Sequence, residues 1–276
     1  MDRLGTSFHR TFALSRPGLA QVLRVVCDLE SHPDGEGELT FSRLETDTTL
    51  GPVYITSMRR YAYGVGLLDS GEHSTCLGKK VMFRDPDLTM RETMWLMHFW
   101  MTAPFGGGPV YWHDIMTRCL RPGDSVERKE LADSVHRCVN EGGTESVSLK
   151  TAGPAATVFL GTYSKPDSLG PLGFLTEVST GRYLVDTPSP PPLWCFAYGL
   201  AEYWQANWGE VTGVNLTRVA EEGGVGPIFM MGGGLINRYL GDLQREGFAV
   251  VQRRTPPFQL TRNWDDPEVF LERIYG

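Results

Sequence analysis

"GPVYITSMRRYAYGVGLLDSGEHSTCLGKKVMF", residues 51–83, decides how the rest of the chain is read. Pro52 follows a glycine and can open a helix, since its missing N–H is not needed in the first turn. On a wheel of about 100° per residue, Ile55, Met58, Tyr61, Ala62 and Val65 share one face. Thr56, Arg59, Arg60 and Tyr63 share the other. A short helix near "FSRLETDTTL" precedes the stretch, and Gly64, Val65 and Gly66 break it before "LLDSG". Helix, turn, helix, polar turn and strand is the order of a winged helix-turn-helix. On this reading Arg59 and Arg60 stand on the recognition face, and "EHSTCLGKK", with Lys79 and Lys80, is the wing.

The C-terminal end repeats the pattern. "GLINRYLGDLQREG" predicts a helix with Leu235, Ile236, Tyr239, Leu240 and Leu243 inward and Gly247 just past its end. Asn237, Arg238, Gly241, Gln244 and Arg245 face outward. "FAVVQRRTPPFQLT" predicts a hairpin that carries Arg253 and Arg254. Residues 236–262 hold five arginines and two acids, a local surplus of +3. Between the two basic modules, "TMRETMWLMHFWMT" (89–102) is apolar nearly all round. It predicts a buried helix opened by a Thr89–Glu92 capping box. "GDSVERKELADSVHRCVNEGG" predicts a surface helix capped by Asp124 or Ser125 and stopped at Gly142. "GFLTEVSTGRYLV" is β-like, and "LWCFAYGLAEYWQANW" (193–208) is an aromatic helix. "SHPDGEGELT" (31–40) is a polar loop. Four prolines between 188 and 192 exclude helix and central strand and mark an internal boundary.

The expected fold is therefore mainly α with small β-hairpins. It has a winged-helix-like domain at 1–88, a helical centre at 89–187, and a helix plus a second winged-helix-like module at 188–276.

Composition bounds the function. The 276 residues carry net charge −7 and a mean hydropathy of −0.22. Such a balance excludes a chain that coats nucleic acid over its whole surface, so any polyanion must be met by local patches. No run of 18 apolar residues occurs, so no membrane span is expected. "MDRLGTSFHRTF" lacks the apolar centre of a secretory signal, which places the protein in the cytoplasm. Five scattered cysteines, Cys27, Cys76, Cys119, Cys138 and Cys195, show no ligand or redox spacing and read as idle thiols.

Arginine's planar fork suits phosphates and base edges, and Asn237 and Gln244 can meet adenine edges. The nucleic-acid reading therefore rests on Arg59, Arg60, Lys79, Lys80, Arg238, Arg245, Arg253, Arg254, Asn237 and Gln244. The alternatives are a solvated face of local ion pairs or a protein-docking module. Catalytic signals are sparse: no Walker A, GxSxG or HExxH motif occurs. The candidate acid–base groups are His9, Asp85, Asp87, His113 and Asp114. Asp85, Asp87 and Asp114 are the set that could hold Mg2+ or Mn2+ for phosphodiester cleavage. Asp87 can instead cap the following helix, and His98 reads as a core histidine. A cysteine-based sulfur chemistry finds no activating context in the sequence.

Several stretches, taken in order, resemble a bacterial family, the domain of unknown function numbered four thousand and seven. "FHRTFALSRPGL" is similar to its opening, F-x-H-E-[ST]-F-x-x-R-x-x-W-L. "LGKKVMFRDPDLTMRETMWLMHF" is similar to its segment with DP and LWLLH, and "LINRYLGDLQREGFAVVQRR" fits its closing half. The matching positions are Phe8, His9, Phe12, Arg60, Tyr61, Asp85, Pro86, Thr93, Trp95 and His98. Arg10 departs from the family's Glu. "GPVYITSM" replaces its GVGKNM, which leaves Arg59 and Arg60 to meet phosphate. Family members sit beside PAPS-reductase-like enzymes in DNA sulfur-modification clusters. The resemblance implies an endonuclease that binds double-stranded DNA and nicks one strand for phosphorothioation and anti-phage defence; metal dependence rests on the carboxylate set above. The other subunits of that modification complex would be its partners. A non-catalytic adaptor in the complex is the alternative, and a homodimer is left open.

Overall fold

The structure, a computed structural model, describes residues 3–31, 39–142, 145–220, 224–254 and 256–276. Most of the predicted polar loop at 31–40, and Thr255 of the predicted proline turn, lie outside the described residues. The chain is 55% helical with two small antiparallel sheets, so it is mainly α with a minor β component. It divides into two compact units, Met1–Ser189 and Pro190–Gly276.

Unit 1 begins with α1 (Arg16–Glu30), whose first turn is tied by the Ser15 hydroxyl accepting from Gly18 N at 3.3 Å. After α2 (Phe41–Asp47), α3 (Pro52–Gly64) packs along α1. The approach is close enough that a Cβ at Gly18 would lie 2.9 Å from Met58. The predicted inner face of α3 is the observed one: Ile55, Met58, Tyr61, Ala62 and Val65 are all fully buried.

The next element departs from the sequence reading. "CLGKKVMFR" is a helix, α4 (Cys76–Arg84), not a strand, and only a single bridge, Leu68 to Ser74, forms ahead of it. Thr75 starts it by accepting from Gly78 N at 2.9 Å, and Leu77 and Val81, one turn apart, seat it. Residues 40–84 therefore hold no hairpin, and Lys79 and Lys80 lie on a helix, not in a wing.

α5 (Arg91–Thr102) runs through the core as expected, with Thr93 to Phe99 all buried. Its start is not a Thr89–Glu92 capping box, because Thr89 lies outside the helix and bonds Asp85. α6 (Val110–Asp114) passes into one π-helical turn, Ile115–Cys119. β1 (Ser125–Glu127) then leads directly into α7 (Arg128–Glu141), which is capped by Glu127 and Glu130 and not by Asp124 or Ser125. α8 (Leu149–Ser164) lies on α7, and β2 (Leu175–Ser179) and β3 (Arg182–Val185) form a hairpin turned at Gly181, φ +76°. The sheet order is β1-β3-β2.

The centre of this unit is a cluster of aromatic rings: Trp95, His98, Trp112, Phe159, Tyr163 and Phe174. Its polar atoms are joined to one another. The Tyr163 hydroxyl accepts from Trp112 Nε1 at 2.9 Å and meets His98 Nδ1 at 2.8 Å.

Unit 2 repeats the second half of unit 1 in small. α9 (Leu193–Trp208) follows the prolines, over the predicted residues. β4 (Gly213–Asn215), α10 (Leu216–Ala220), α11 (Val225–Ile228) and α12 (Gly233–Arg245) come next. β5 (Ala249–Gln252), β6 (Gln259–Arg262) and α13 (Glu268–Tyr275) complete it. The sheet order is β4-β6-β5, the same relation as in unit 1. α12 buries Ile236, Leu240 and Leu243 and ends before Gly247 in a left-handed conformation, φ +83°, where a side chain would be strained.

Candidate nucleic-acid interface

The two predicted basic faces fare differently. In unit 1, Arg59 is spent within the protein. Its guanidinium grips both carboxylate oxygens of Glu72, with Nε to Oε1 at 2.9 Å. Glu72 reaches it from a turn held at φ +64°, an unusual backbone for a non-glycine residue. Arg60, one position on, is exposed and forms no ion pair with the described residues. On α4, Lys79 is exposed and Lys80 half-exposed. Phe83, which the sequence reading passed over, projects with 77% of its surface free beneath the Arg84 guanidinium, 5.0 Å from its ring centre. Spacing of four from Lys79 puts Phe83 on the same outer side of α4.

In unit 2 the arginines gather where α12 meets the hairpin. Arg253 donates to the Asn237 side-chain oxygen at 2.9 Å, and Gln244 accepts from Val251 N at 2.7 Å. The acceptor oxygens of Asn237 and Gln244 thus tie the hairpin to the helix. The result is a cationic ledge. Arg238 is exposed beside the Tyr239 ring, Arg254 is exposed, and Arg253 keeps its charge while bonding a neutral amide. Arg245 is 76% exposed but shares its charge with Asp242.

The acid–base candidates do not assemble. Asp85 is buried, and its carboxylate closes the turn ahead of α5, accepting from Thr89 N at 2.8 Å and Met90 N at 2.9 Å. Asp87 is exposed and pairs with Arg24 at 3.6 Å, in an open groove of about 940 Å3 where Arg16, Arg24 and Arg43 alternate with Asp28 and Asp47. Asp114 pairs with Arg118 at 3.0 Å on the next turn. Among the described residues no three carboxylate, histidine or cysteine side chains converge as a cation would need. Asp85, Asp87 and Asp114 are thus corrected from a metal set to a cap and two ion pairs. Asp85→Asn is expected to cost about 1–2 kcal/mol, because one amide oxygen then serves two backbone N–H groups. Thermal melting checks this, and an unchanged midpoint refutes the capping role.

The histidines are similarly committed. His113 Nδ1 donates to the Thr102 carbonyl at 2.9 Å, and burial lowers its pKa, with the Thr102 bond partly opposing. His9 is 2% exposed, and its Nδ1 accepts from Thr11 N at 3.0 Å. Its loop is strained, with Arg10 at φ +46° and Thr11 at φ +74°. Burial lowers the His9 pKa to about 4. The Nδ1 of His9 is turned to its own loop, and that of His113 to a main-chain carbonyl.

Comparison with solved structures then places the architecture. A magnesium ion-bound SspB crystal structure matches with a TM-score of 0.75 at 18% identity, over 98% of this chain and 87% of that one. The chain has the SspB fold. A second SspB crystal structure agrees, with a TM-score of 0.74 at 17% identity over the same shares. No family model matches the sequence, and no curated protein matches it either. The likeness to SspB therefore lives in the order and packing of elements more than in residue identity. The magnesium belongs to the SspB crystal. Among the described residues, the carboxylates singled out in this chain do not converge as such an ion would need.

Proposed function

We propose that this chain binds double-stranded DNA and nicks one strand as the SspB-like component of a DNA phosphorothioation complex. The observation that carries the reading is the likeness to SspB along 98% of the chain. Each sheet-bearing segment is a winged helix-turn-helix on this reading. Strand, helices and hairpin follow in that order in 125–185 and in 213–262, and the first strand pairs with the last in both. The wing of unit 2, β5–β6, carries Arg253 and Arg254, and α12 carries Arg238.

A protein using this ledge releases counterions from the phosphates it covers. Arg238→Gln and Arg254→Gln are each expected to lower the slope of log affinity against log salt by about 1, for every duplex sequence alike. Arg59→Gln is expected to leave the slope unchanged, since Glu72 already neutralises it. Mobility shifts at graded salt measure both. Equal slopes in all three variants and the parent refute the ledge.

The spent carboxylates favour a second reading, a DNA-binding adaptor with cleavage done by another subunit. Purified protein incubated with supercoiled plasmid and Mg2+ or Mn2+ separates the two. Conversion to open circles, blocked by EDTA, supports nicking, and intact supercoils across the same protein range support the adaptor.

A further inference from the structure

Phe83 is the most exposed large apolar side chain among the described residues, 77% free where no other passes 56%. It stands on α4 one turn after Lys79 and next to Arg84, whose guanidinium lies 5.0 Å from its ring centre. A lone exposed apolar residue needs no explanation, but this one is set among charges of a single sign. α4 carries Lys79, Lys80 and Arg84 and no carboxylate. Asp85, which follows, is buried and turned to Thr89 N and Met90 N. Leu77 and Val81 hold the other face of the helix in the core. Phe83 and Met82 also border an open groove of about 640 Å3 between α4 and the end of α1, lined further by Cys27, Glu30, His73 and Lys79. Glu30, the carboxylate among them, is taken up by Ser74, whose N–H donates to it at 2.8 Å. A groove of that size can seat a nucleotide-sized group.

We propose that this face of α4 binds an unpaired base of single-stranded DNA, stacked on the Phe83 ring, with the flanking phosphates against Lys79 and Arg84. Every base has a π face, so a base laid on an aromatic ring beside cations is held without regard to sequence. Arg84 lies over the ring on one side, which leaves the other to the base. A protein partner fits less well, because the centre of such an interface is depleted in charge, lysine above all, and here the surface around Phe83 is cationic. The choice of DNA over RNA rests on the function proposed above, whereas the stack and its cations do not. The site also stands apart from the Arg238–Arg254 ledge, which belongs to the other unit.

The test is fluorescence anisotropy of a labelled oligothymidylate with the full chain, at graded salt and without divalent metal. Phe83→Ala is expected to weaken binding about tenfold, and to change nothing for an abasic strand of the same length, which has phosphates but no bases to stack. Phe83→Trp should hold the strand at least as tightly as the parent. Phe83→Leu, which keeps apolar bulk without a π face, should fall with Phe83→Ala. Lys79→Gln is expected to lower the slope of log affinity against log salt by about 0.7, the value for one phosphate of a single strand. The ring is exposed, so these variants should melt with the parent. The proposal is overturned if the parent binds no single strand, or if Phe83→Ala or Phe83→Leu binds like the parent. It is overturned too if sedimentation shows the chain pairing with itself through Phe83, and oligouridylate bound more tightly than oligothymidylate overturns the choice of DNA. No cleavage is read here. A chain that nicks plasmid but shows no Phe83 effect loses this proposal alone, and one that stacks the strand but never nicks keeps it.

Discussion

Tyr163→Phe is expected to destabilise unit 1 by about 2–4 kcal/mol, although it removes a single oxygen from a ring that stays in place. That hydroxyl bonds both Trp112 Nε1 and His98 Nδ1, on two separate elements. Without it the buried indole N–H loses its acceptor, a loss worth about 1–3 kcal/mol. His98 loses a partner at 2.8 Å, while Thr102 Oγ1 stands 3.5 Å away, at the edge of bonding distance. The unit-1 transition should fall by roughly 5–12 °C, given about 2–4 °C per kcal/mol for domains of this size. Adding Trp112→Phe removes the orphaned donor, so the double variant is expected to cost less than the sum of the two single changes. Calorimetry of the four proteins measures the cycle. A Tyr163→Phe loss under 0.5 kcal/mol, or strict additivity, would show that the hydroxyl is not the joint of this cluster.

What the sequence could express was local. The inner face of α3 was legible because five apolar residues recur at helical spacing, and all five are buried. The ends of α9 and α12 were legible because prolines and glycines punctuate them. α4 was misread because Leu77 and Val81 are too few to separate a short helix from a strand, and Thr75, which starts it, looks like any turn residue. β1 and β4 were missed because three residues carry no periodicity. Yet each is a valine between two polar or small residues that runs straight into a helix, "SVE" before "RKEL" and "GVN" before "LTRV". That shared junction was the available signal for the repeated segment.

The candidate site was less legible, for a different reason. Whether a charge is free depends on partners brought from elsewhere. Glu72 reaches Arg59 only because its backbone takes a left-handed turn, and Asp85 reads as a metal ligand until its amide donors four and five residues on are in view. The outward basic residues of α12 stand outward as their spacing implies, while the hold of Asn237 on Arg253 and of Gln244 on Val251 N comes only with the fold.

Acid should unfold this protein earlier than its carboxylates alone require, and His9 is a cause. Its Nδ1 lone pair is taken by Thr11 N–H, so the neutral ring carries its proton on Nε2, a buried atom without a hydrogen-bond partner among the described residues. Burial holds its pKa near 4, against about 6.5 in an unfolded chain. The sign follows. Between pH 6.5 and pH 4 the unfolded chain takes up a proton that the folded chain refuses, so stability falls as pH falls through that window and is whole above it. The full loss is about 3 kcal/mol, of which about 2 kcal/mol has gone by pH 5. His113, also lowered by burial, adds in the same direction. His9→Asn keeps an acceptor for Thr11 N–H but cannot titrate. It is expected to be less stable than the parent at pH 8, where the lost ring leaves a gap, and to lose about 2 kcal/mol less between pH 8 and pH 5. Urea unfolding at the two pH values measures the difference, and parallel losses in both proteins would mean that His9 is protonated in the fold. The same geometry bears on chemistry. A general base needs an accessible lone pair, and the one His9 has is turned to its own loop. A pH–rate profile for any strand cleavage should therefore keep its shape in His9→Asn, whatever happens to its height.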